Sequence, residues 1–429
     1  MKGAKHLVVY VISQSGQALM PTKRFGKVRR LLNEKRAKVI RRCPLTIKLL
    51  YETKTNIVQD TVLGMDTGSK NIGVSCIAND EVLYQSQTIA RNDIKKNMDS
   101  RRTFRRNRRN RKTRYRKPRF LNRKNSTKLN RLPPSVRHKV QAHIDEIEFC
   151  KKILPVSQIV LEVSQFDPHL MKNPSLRFKK IKSWGYQQGF NYGFASRKDA
   201  VLNRDSYTCQ ICGAKHTRLE VHHIVYRSQG GTDDEDNLIT LCESCHKKIH
   251  AGEIKVSLKA KKLRLKEATH MNIIRSQLLK VYPNAVETFG FVTKENRNNL
   301  KLPKDHYIDA CVIASAGKTF VPNDEIYYKR RVAKGDYQLC KGSRGEVKLP
   351  VGKIQGFKKF DKVDYFGREC FIKGRMSSGY AVLMNVFNEK IDFSHMPKGY
   401  KTPKLKNLKR LSARSSVLCT REKIISSAA

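Results

Sequence analysis

The sequence predicts a mixed α/β protein of several domains, and three observations carry that prediction. Short apolar runs of strand type (HLVVYVIS, TVLGMD, QIVLEV) alternate with segments of helical periodicity. A chain of 429 residues has room for about two or three domains, each with its own core. Between Cys209 and His250 two CxxC pairs enclose a histidine pair, the pattern of a small metal-framed unit.

Charge narrows the partners. Lysine and arginine number 88 against 37 acidic residues, a formal net charge of +51. Such a chain repels itself unless a polyanion neutralises it, and nucleic acid is the economical choice. A membrane role is not expected, because neither a long apolar span nor a basic amphipathic anchor is visible. The N-terminal apolar run lacks the small-residue cleavage site of a signal peptide, so an intracellular, cytoplasmic location is expected. Of the 11 cysteines, four fall in the CxxC pairs. The other seven are scattered singly along the chain and read as reduced thiols, not as a disulfide framework.

Taken in order, residues 1–58 read as a small basic αβ unit with a helix over residues 25–37. TVLGMDTGSKNIGVSCI, residues 61–77, is an apolar strand ending at Asp66, a glycine turn and a second strand; residues 81–89 make a third. Gly68 and Gly73 are expected to let a phosphate backbone come close to Asp66. Residues 91–120 are arginine-rich, with Arg101, Arg102, Arg105, Arg106, Arg108, Arg109, Arg111 and Arg114 among the cations. A helix basic on all sides has no stripe to bury in a core and suits phosphate contacts, with Phe104, Tyr115 and Phe120 available to stack on bases. Residues 135–154 carry Val136, Val140, Ile144, Ile147 and Leu154 near one helical face.

QIVLEV, residues 158–163, is a strand with Glu162 near its end; a carboxylate there favours a metal or a cationic neighbour. Residues 166–197 read as a linker that contains Trp184. Beyond the cysteine-rich unit come a helix over residues 271–281, a strand over 286–292, and an apolar helix, HYIDACVIASA, with His306 and Asp309 on one face. From residue 321 onward short strands separated by glycines suggest a small barrel or curled sheet, followed by a basic tail.

Cys209, Cys212, Cys242 and Cys245 match a closed tetrahedral structural Zn²⁺ site. Inside that frame LEVHHIVYRSQGG, with Asn237, His246 and His250 behind it, resembles the HNH, or ββα-metal, nuclease motif. The resemblance implies that His223 is the general base, that His222 and His246 hold one Mg²⁺ or Mn²⁺, that Asn237 orients the histidine and that His250 touches phosphate.

The wider chain resembles a family. GMDTGSKNIGV, IVLEV and HYIDA are similar to the three segments of a RuvC-type, RNase H-like nuclease. An arginine-rich helix between the first two and an HNH unit before the third is the arrangement of IscB proteins, transposon-encoded relatives of the CRISPR type II effectors. The opening unit resembles the domain named for a PLMP signature, although Ala18 stands at its first proline.

The implied fold is a split RuvC domain with an inserted HNH zinc module, an arginine-rich bridge helix, a small N-terminal αβ domain and a C-terminal β-rich domain. The implied boundaries are 1–58 for the PLMP-like domain, 59–90 for RuvC segment I, 91–120 for the bridge helix and 121–165 for RuvC segment II. A linker over 166–200, the HNH unit over 201–252, a linker with RuvC segment III over 253–320 and a C-terminal domain over 321–429 follow. The linkers over residues 166–200 and 253–270 are candidate hinges.

The resemblance further implies an RNA-guided DNA endonuclease acting as a monomeric ribonucleoprotein in a prokaryotic, nucleoid-associated setting. The HNH site would cut the strand paired to a structured guide RNA. Asp66, Glu162 and Asp309, with Mg²⁺ and with His306 assisting, would cut the displaced strand. The arginine-rich helix would brace the guide, and the C-terminal unit would read a short motif beside the target in double-stranded DNA. Two other expectations compete: an HNH homing-type endonuclease with no guide, and a nuclease-dead nucleic-acid chaperone.

Overall fold

The computed structural model describes residues 8–53, 57–112, 131–167, 171, 193–215, 217–229, 231, 233, 235–254, 265–333 and 352–424. The chain divides into two compact units, one made of residues 1–165 and 270–429 and the other of residues 166–269.

The first unit opens with β1 (Val9–Ile12), β2 (Ala18–Thr22), α1 (Phe25–Asn33), β3 (Ala37–Arg42) and β4 (Leu45–Leu49), whose strands form a sheet in the order β2-β1-β4-β3. Val28 and Leu31 of α1 are buried with Val9, Ile47 and Leu49, so the helix covers one face while its arginines stay in water.

A seven-stranded sheet carries the main core. Its meander is β5 (Thr61–Asp66), β6 (Asn71–Ala78) and β7 (Glu81–Ile89), all antiparallel neighbours. Then come α2 (Ile94–Lys112), α3 (Pro134–Ile153) and β8 (Val156–Val163), which returns parallel to β5. Period-two alternation sorts the side chains of β5. Leu63 and Met65 join Ile147, Cys150 and Ile153 of α3 in the largest core, whereas Gly64 points to the opposite face. Pro134 opens α3 at a position where its missing N–H costs nothing.

The second unit contributes α4 (Arg197–Arg204), β9 (Leu219–His223), β10 (Leu238–Cys242) and α5 (Glu243–Ala251), with β9 and β10 antiparallel. Then come α6 (Lys266–Val281), which passes into the first unit at residue 270, and in that unit β11 (Val286–Phe289), α7 (Gly290–Asn299), α8 (His306–Ala314) and β12 (Glu325–Arg331). Ile274 and Leu278 of α6 complete the core beside α3. On the other face α8 lies against β5 and β6. A Cβ at Gly64 would stand 2.4 Å from the Ala310 carbonyl oxygen, and one at Gly73 would stand 1.9 Å from that of His306. Gly73 is therefore required by helix–sheet packing, and Gly68 by its own turn, where a Cβ would meet the Asn71 carbonyl at 2.0 Å. Neither is a phosphate clearance, which corrects the expectation above.

The last elements are β13 (Lys362–Tyr365), β14 (Arg368–Arg375), β15 (Ala381–Met384), β16 (Lys409–Ser412) and β17 (Val417–Lys423). The four strands β15-β14-β13-β16 form a separate sheet around Val363, Ile372, Leu383 and Phe393. The main sheet runs β11-β8-β5-β6-β7-β12-β17. Three expectations are corrected. Residues 321–429 do not form one unit, because β12 and β17 belong to the main sheet at both ends of that segment. The last residues, expected to be mobile beyond a basic tail over 398–410, include an ordered strand, β17, paired antiparallel with β12. The strand expected over 286–292 stops at Phe289, where the chain turns into α7. Among the described residues no helix is long and apolar enough to cross a membrane.

Buried polar groups tie α3 to the sheet. Lys329 of β12 meets Glu146 at 2.6 Å, both almost fully buried, and Arg331 meets Asp145 at 2.5 Å. Nearby, burial pushes His143 down to about 4, while its Nδ1 donates to the Lys139 carbonyl at 2.8 Å. An unfolded histidine titrates near 6.5, so the unfolded chain binds the extra proton between those values and stability falls as pH drops from 6.5 towards 4. His143→Met is expected to flatten that slope, read as the pH dependence of the urea midpoint.

Candidate functional sites

In the second unit the four cysteines come from two places. Cys209 and Cys212 lie ahead of β9, Cys242 ends β10, and Cys245 sits in the first turn of α5. Their sulfur atoms all lie within 4.8 Å of one another, with Cys212 and Cys242 at 3.6 Å. A tetrahedral ion with four sulfurs at about 2.3 Å needs sulfur–sulfur spacings of about 3.8 Å, so this set fits Zn²⁺. The Ser244 hydroxyl, 3.1 Å from Cys242 Sγ, is the largest of the influences that pull that thiol down to about 6.

A second cluster lies on the same small frame. His222 of β9 and His246 and His250 of α5 bring their ring nitrogens within 4.8 Å of one another. His246 and His250 are four residues apart on one helix face, and His222 stands opposite Ile239 in the β9–β10 ladder. Burial, followed by the neighbouring His246, pushes His222 down to about 4, so it stays neutral, as a metal-ligating imidazole must. His250, expected at phosphate, is thus grouped with the two expected ligands. Three imidazoles could hold a divalent ion, and as nitrogen donors they suit transition ions better than oxygen-seeking Mg²⁺.

Sequence reasoning missed Glu220. Its Oε2 lies 2.9 Å from His246 Nδ1, while His246 Nε2 faces His250 at 3.2 Å. A carboxylate behind a ligating histidine fixes its tautomer and raises its basicity. Strand alternation was the available signal, since Glu220 and His222 share a face of LEVHH. Glu220→Gln is expected to weaken Mn²⁺ binding about 10- to 100-fold, measured by Mn²⁺ EPR on zinc-loaded protein carrying Asp66→Ala.

His223 points elsewhere. Its Nε2 lies 2.8 Å from Asp233 Oδ1, and Arg227 Nε donates to the same oxygen at 2.9 Å. An open cleft of about 560 Å³ here is lined by His223, Asp233, Glu220, Arg197, Lys198 and Arg227. Three cations beside a histidine suit a phosphodiester. Asn237 is fully buried: its Oδ1 accepts from Val225 N at 2.9 Å, and its Nδ2 donates to Val225 O at 3.0 Å. Its backbone carbonyl also accepts from Ile224 N at 2.9 Å. Asn237 therefore positions the segment after His223 and does not face the cleft as a reacting group.

In the first unit, Asp66 and Glu162 are direct partners in the β5–β8 ladder. His306, the first residue of α8, places Nδ1 2.6 Å from Asp66 Oδ2, and Asn71 Nδ2 lies 3.2 Å from its Nε2. Asp66 raises the affinity of His306 for a proton. Burial, then the charge of Asp66, raises Glu162 above the usual carboxylate range, while a hydrogen bond with Thr293 opposes this. Asp309 is buried and held by Arg297 Nη1 at 2.5 Å and Lys304 Nζ at 2.8 Å.

The charges of both Asp66 and Asp309 reach Glu162, while Arg297 and Lys304 pair with the Asp309 carboxylate. Nothing in the sequence signalled Arg297. The carboxylates suit Mg²⁺ or Mn²⁺ as donors.

On α2, Arg101, Arg102, Arg105 and Arg106 are exposed. Arg108, Arg109 and Arg111 lie on the same helix, whereas Arg114, Tyr115, Phe120, Trp184 and most of both expected linkers fall outside the described residues.

Comparison with known proteins fits these features. The profile described as RRXRR protein matches residues 9–189, and that described as HNH endonuclease matches residues 209–252. The first spans α2, where residues 105–109 read Arg-Arg-Asn-Arg-Arg. The chain belongs to the IscB-like HNH nuclease family. Among characterised relatives, this family member is 37% identical to anaredoxin of Nostoc sp. over 67 residues, covering 16% of this chain and 88% of that protein. It is 34% identical over 85 residues to the type IV methyl-directed restriction enzyme EcoKMcrA of Escherichia coli, 18% of this chain and 28% of the enzyme. A putative COX1/OXI3 intron 2 protein of Saccharomyces cerevisiae is 28% identical over 127 residues, 24% of this chain and 14% of that protein. The IscB-like chain is a nuclease with an HNH domain, and HNH nucleases use divalent metals.

Proposed function

We propose that this protein is an RNA-guided endonuclease that cuts both strands of a DNA duplex with two separate sites. The observation that carries the reading is the coexistence of two chemically distinct centres. One is the His222/His246/His250 cluster beside His223; the other pairs Asp66 with Glu162 and adds His306 and Asp309. A homing-type HNH enzyme has no use for the second. The meander β5–β7 with parallel β8 and β11 beside it supports a RuvC-type reading of the main sheet. The restriction enzyme among the relatives supports DNA as substrate.

At the first centre a divalent ion would be held by the three histidines, where it supplies charge stabilisation at the leaving oxygen. His223 takes the proton of the attacking water, and Arg197, Lys198 and Arg227 hold the phosphate. Asn237 keeps the His223 segment in place. At the second centre Asp66, Glu162 and Asp309 would hold Mg²⁺ or Mn²⁺, with His306 fixed on Asp66. Because Lys304 is well exposed, its ammonium can leave Asp309 when a cation or substrate arrives, whereas the buried Arg297 stays as a brace.

The four exposed arginines of α2 would grip the phosphates of a structured guide RNA, and the sheet β13–β16 would read a short motif beside the target. The active species is a monomeric ribonucleoprotein. Sequencing the RNA that co-purifies with the protein tests the guide. A single discrete structured RNA is expected, and recovery of only random fragments would contradict the reading.

A further inference from the structure

We propose that Phe289 and Phe291 form a stacking platform for unpaired bases of the DNA strand entering the Asp66–Glu162 site; this rests on the reading that these carboxylates cut a single strand. The two rings lie parallel, 9° apart with centroids separated by 5.9 Å. Both are out in solvent, Phe289 at 40% and Phe291 at 71% exposure. A phenylalanine gains by burial, so two parallel exposed rings at one place ask for a partner.

Their address identifies the partner. Phe289 ends β11 opposite Val163, and the preceding Thr288 stands opposite Glu162. Gly290, between the two rings, has its bare backbone against the Glu162 carboxylate, since a Cβ there would lie 3.1 Å from Oε1. One turn on, Thr293 hydrogen-bonds Glu162. The turn that presents the rings is thus the same turn that seats a candidate catalytic carboxylate. A phosphodiester placed at Glu162 brings the neighbouring nucleotides within reach of the rings.

Within a duplex every base face is covered by the next pair, so a ring can stack only on a base that has left the duplex. The Phe291 ring, parallel to Phe289 and 71% exposed, leaves much of its surface to a base. Such stacking is tolerant of sequence because every base has a π-face. Lys294, three residues beyond Phe291 on α7, and Lys304, whose charge reaches Glu162, are exposed and suit the backbone of the same strand. A protein partner is disfavoured by this cationic rim and by the adjoining carboxylate site.

The test uses the full chain with Asp66→Ala and His223→Ala, which prevents cutting, and a short single-stranded DNA carrying 2-aminopurine, whose fluorescence falls on stacking. Quenching is expected in that parent and not with Phe291→Ala. Affinity should fall roughly tenfold for Phe291→Ala and Phe291→Leu, and stay within about twofold for Phe291→Tyr. In the cutting-competent chain Phe291→Ala should raise KM for the second strand and leave HNH cleavage unchanged. Equal binding by parent and Phe291→Ala would overturn the platform, as would rescue by leucine equal to tyrosine, which would mean apolar contact alone. If Asp66→Ala spared both cuts while Phe291→Ala still abolished quenching, the cleavage assignment would fall and the platform would stand.

Discussion

Replacing His223 with alanine is expected to slow cleavage of one DNA strand by about 10²- to 10⁴-fold, the range of a lost general base, and to leave the other strand cut at its normal rate. Asp66→Ala should do the reverse, since it removes the carboxylate proposed to hold the metal and the anchor of His306. Strand-resolved cleavage of an end-labelled duplex reads both. The expectation of independence comes from geometry. His223 faces a cleft built from β9, α4 and the 227–233 segment, all in the second unit. Asp66 stands on β5 of the first unit, and the two sites share no residue. A single substitution that stopped both strands would mean that the sites act in obligatory order or that one centre cuts twice.

Zinc removal should produce the second large effect. The apolar core of the small unit is assembled from Ile239 and Leu241 together with Cys209, Cys242 and Cys245, so the thiol groups are themselves a large part of it. Residues 201–252 alone offer too little apolar area to hold their chain without a staple. Structural zinc commonly supplies about 10–16 kcal/mol of apparent binding energy to such modules, and that energy is folding energy. Chelation, or Cys242→Ser, should therefore expose the amides of β9, β10 and α5 to rapid hydrogen exchange and abolish cutting at His223. The seven-stranded sheet should keep its protection, because its core of Leu63, Met65, Ile147 and Leu161 uses no metal. Protection of β9 and β10 that survived metal removal would refute a structural role for the four cysteines.

What was legible in the sequence is what depends on local pattern. CxxC spacing, the His222-His223 pair and the alternation of TVLGMD and QIVLEV each state their geometry within a few residues. The β5–β8 ladder then places Asp66 beside Glu162 across nearly a hundred residues of chain. Illegible were contacts made by residues with no pattern of their own. Arg297 reaches Asp309 because α7 packs beside α8, and α7 itself was hidden where a strand-like VETFGFV turns helical at Gly290. Asp233 reaches His223 from a loop whose composition fits any turn. The seven cysteines that read as single are not all isolated, since folding brings Cys43 and Cys419 to 3.4 Å. Likewise β17 looked like a tail because its strand character emerges only beside β12, whose register supplies Leu418 with a buried face. Glycines misled for the same reason: Gly73 is set by a helix that arrives more than 200 residues later.

The most direct test of the account is to change the target-pairing segment of the co-purifying RNA and map the cuts on a plasmid that carries both the old and the new matching sequence. RNA guidance requires both nicks to move to the new sequence, with His223→Ala and Asp66→Ala each removing one of them there. Cuts that stay at the original position, or that appear without any RNA, would contradict it.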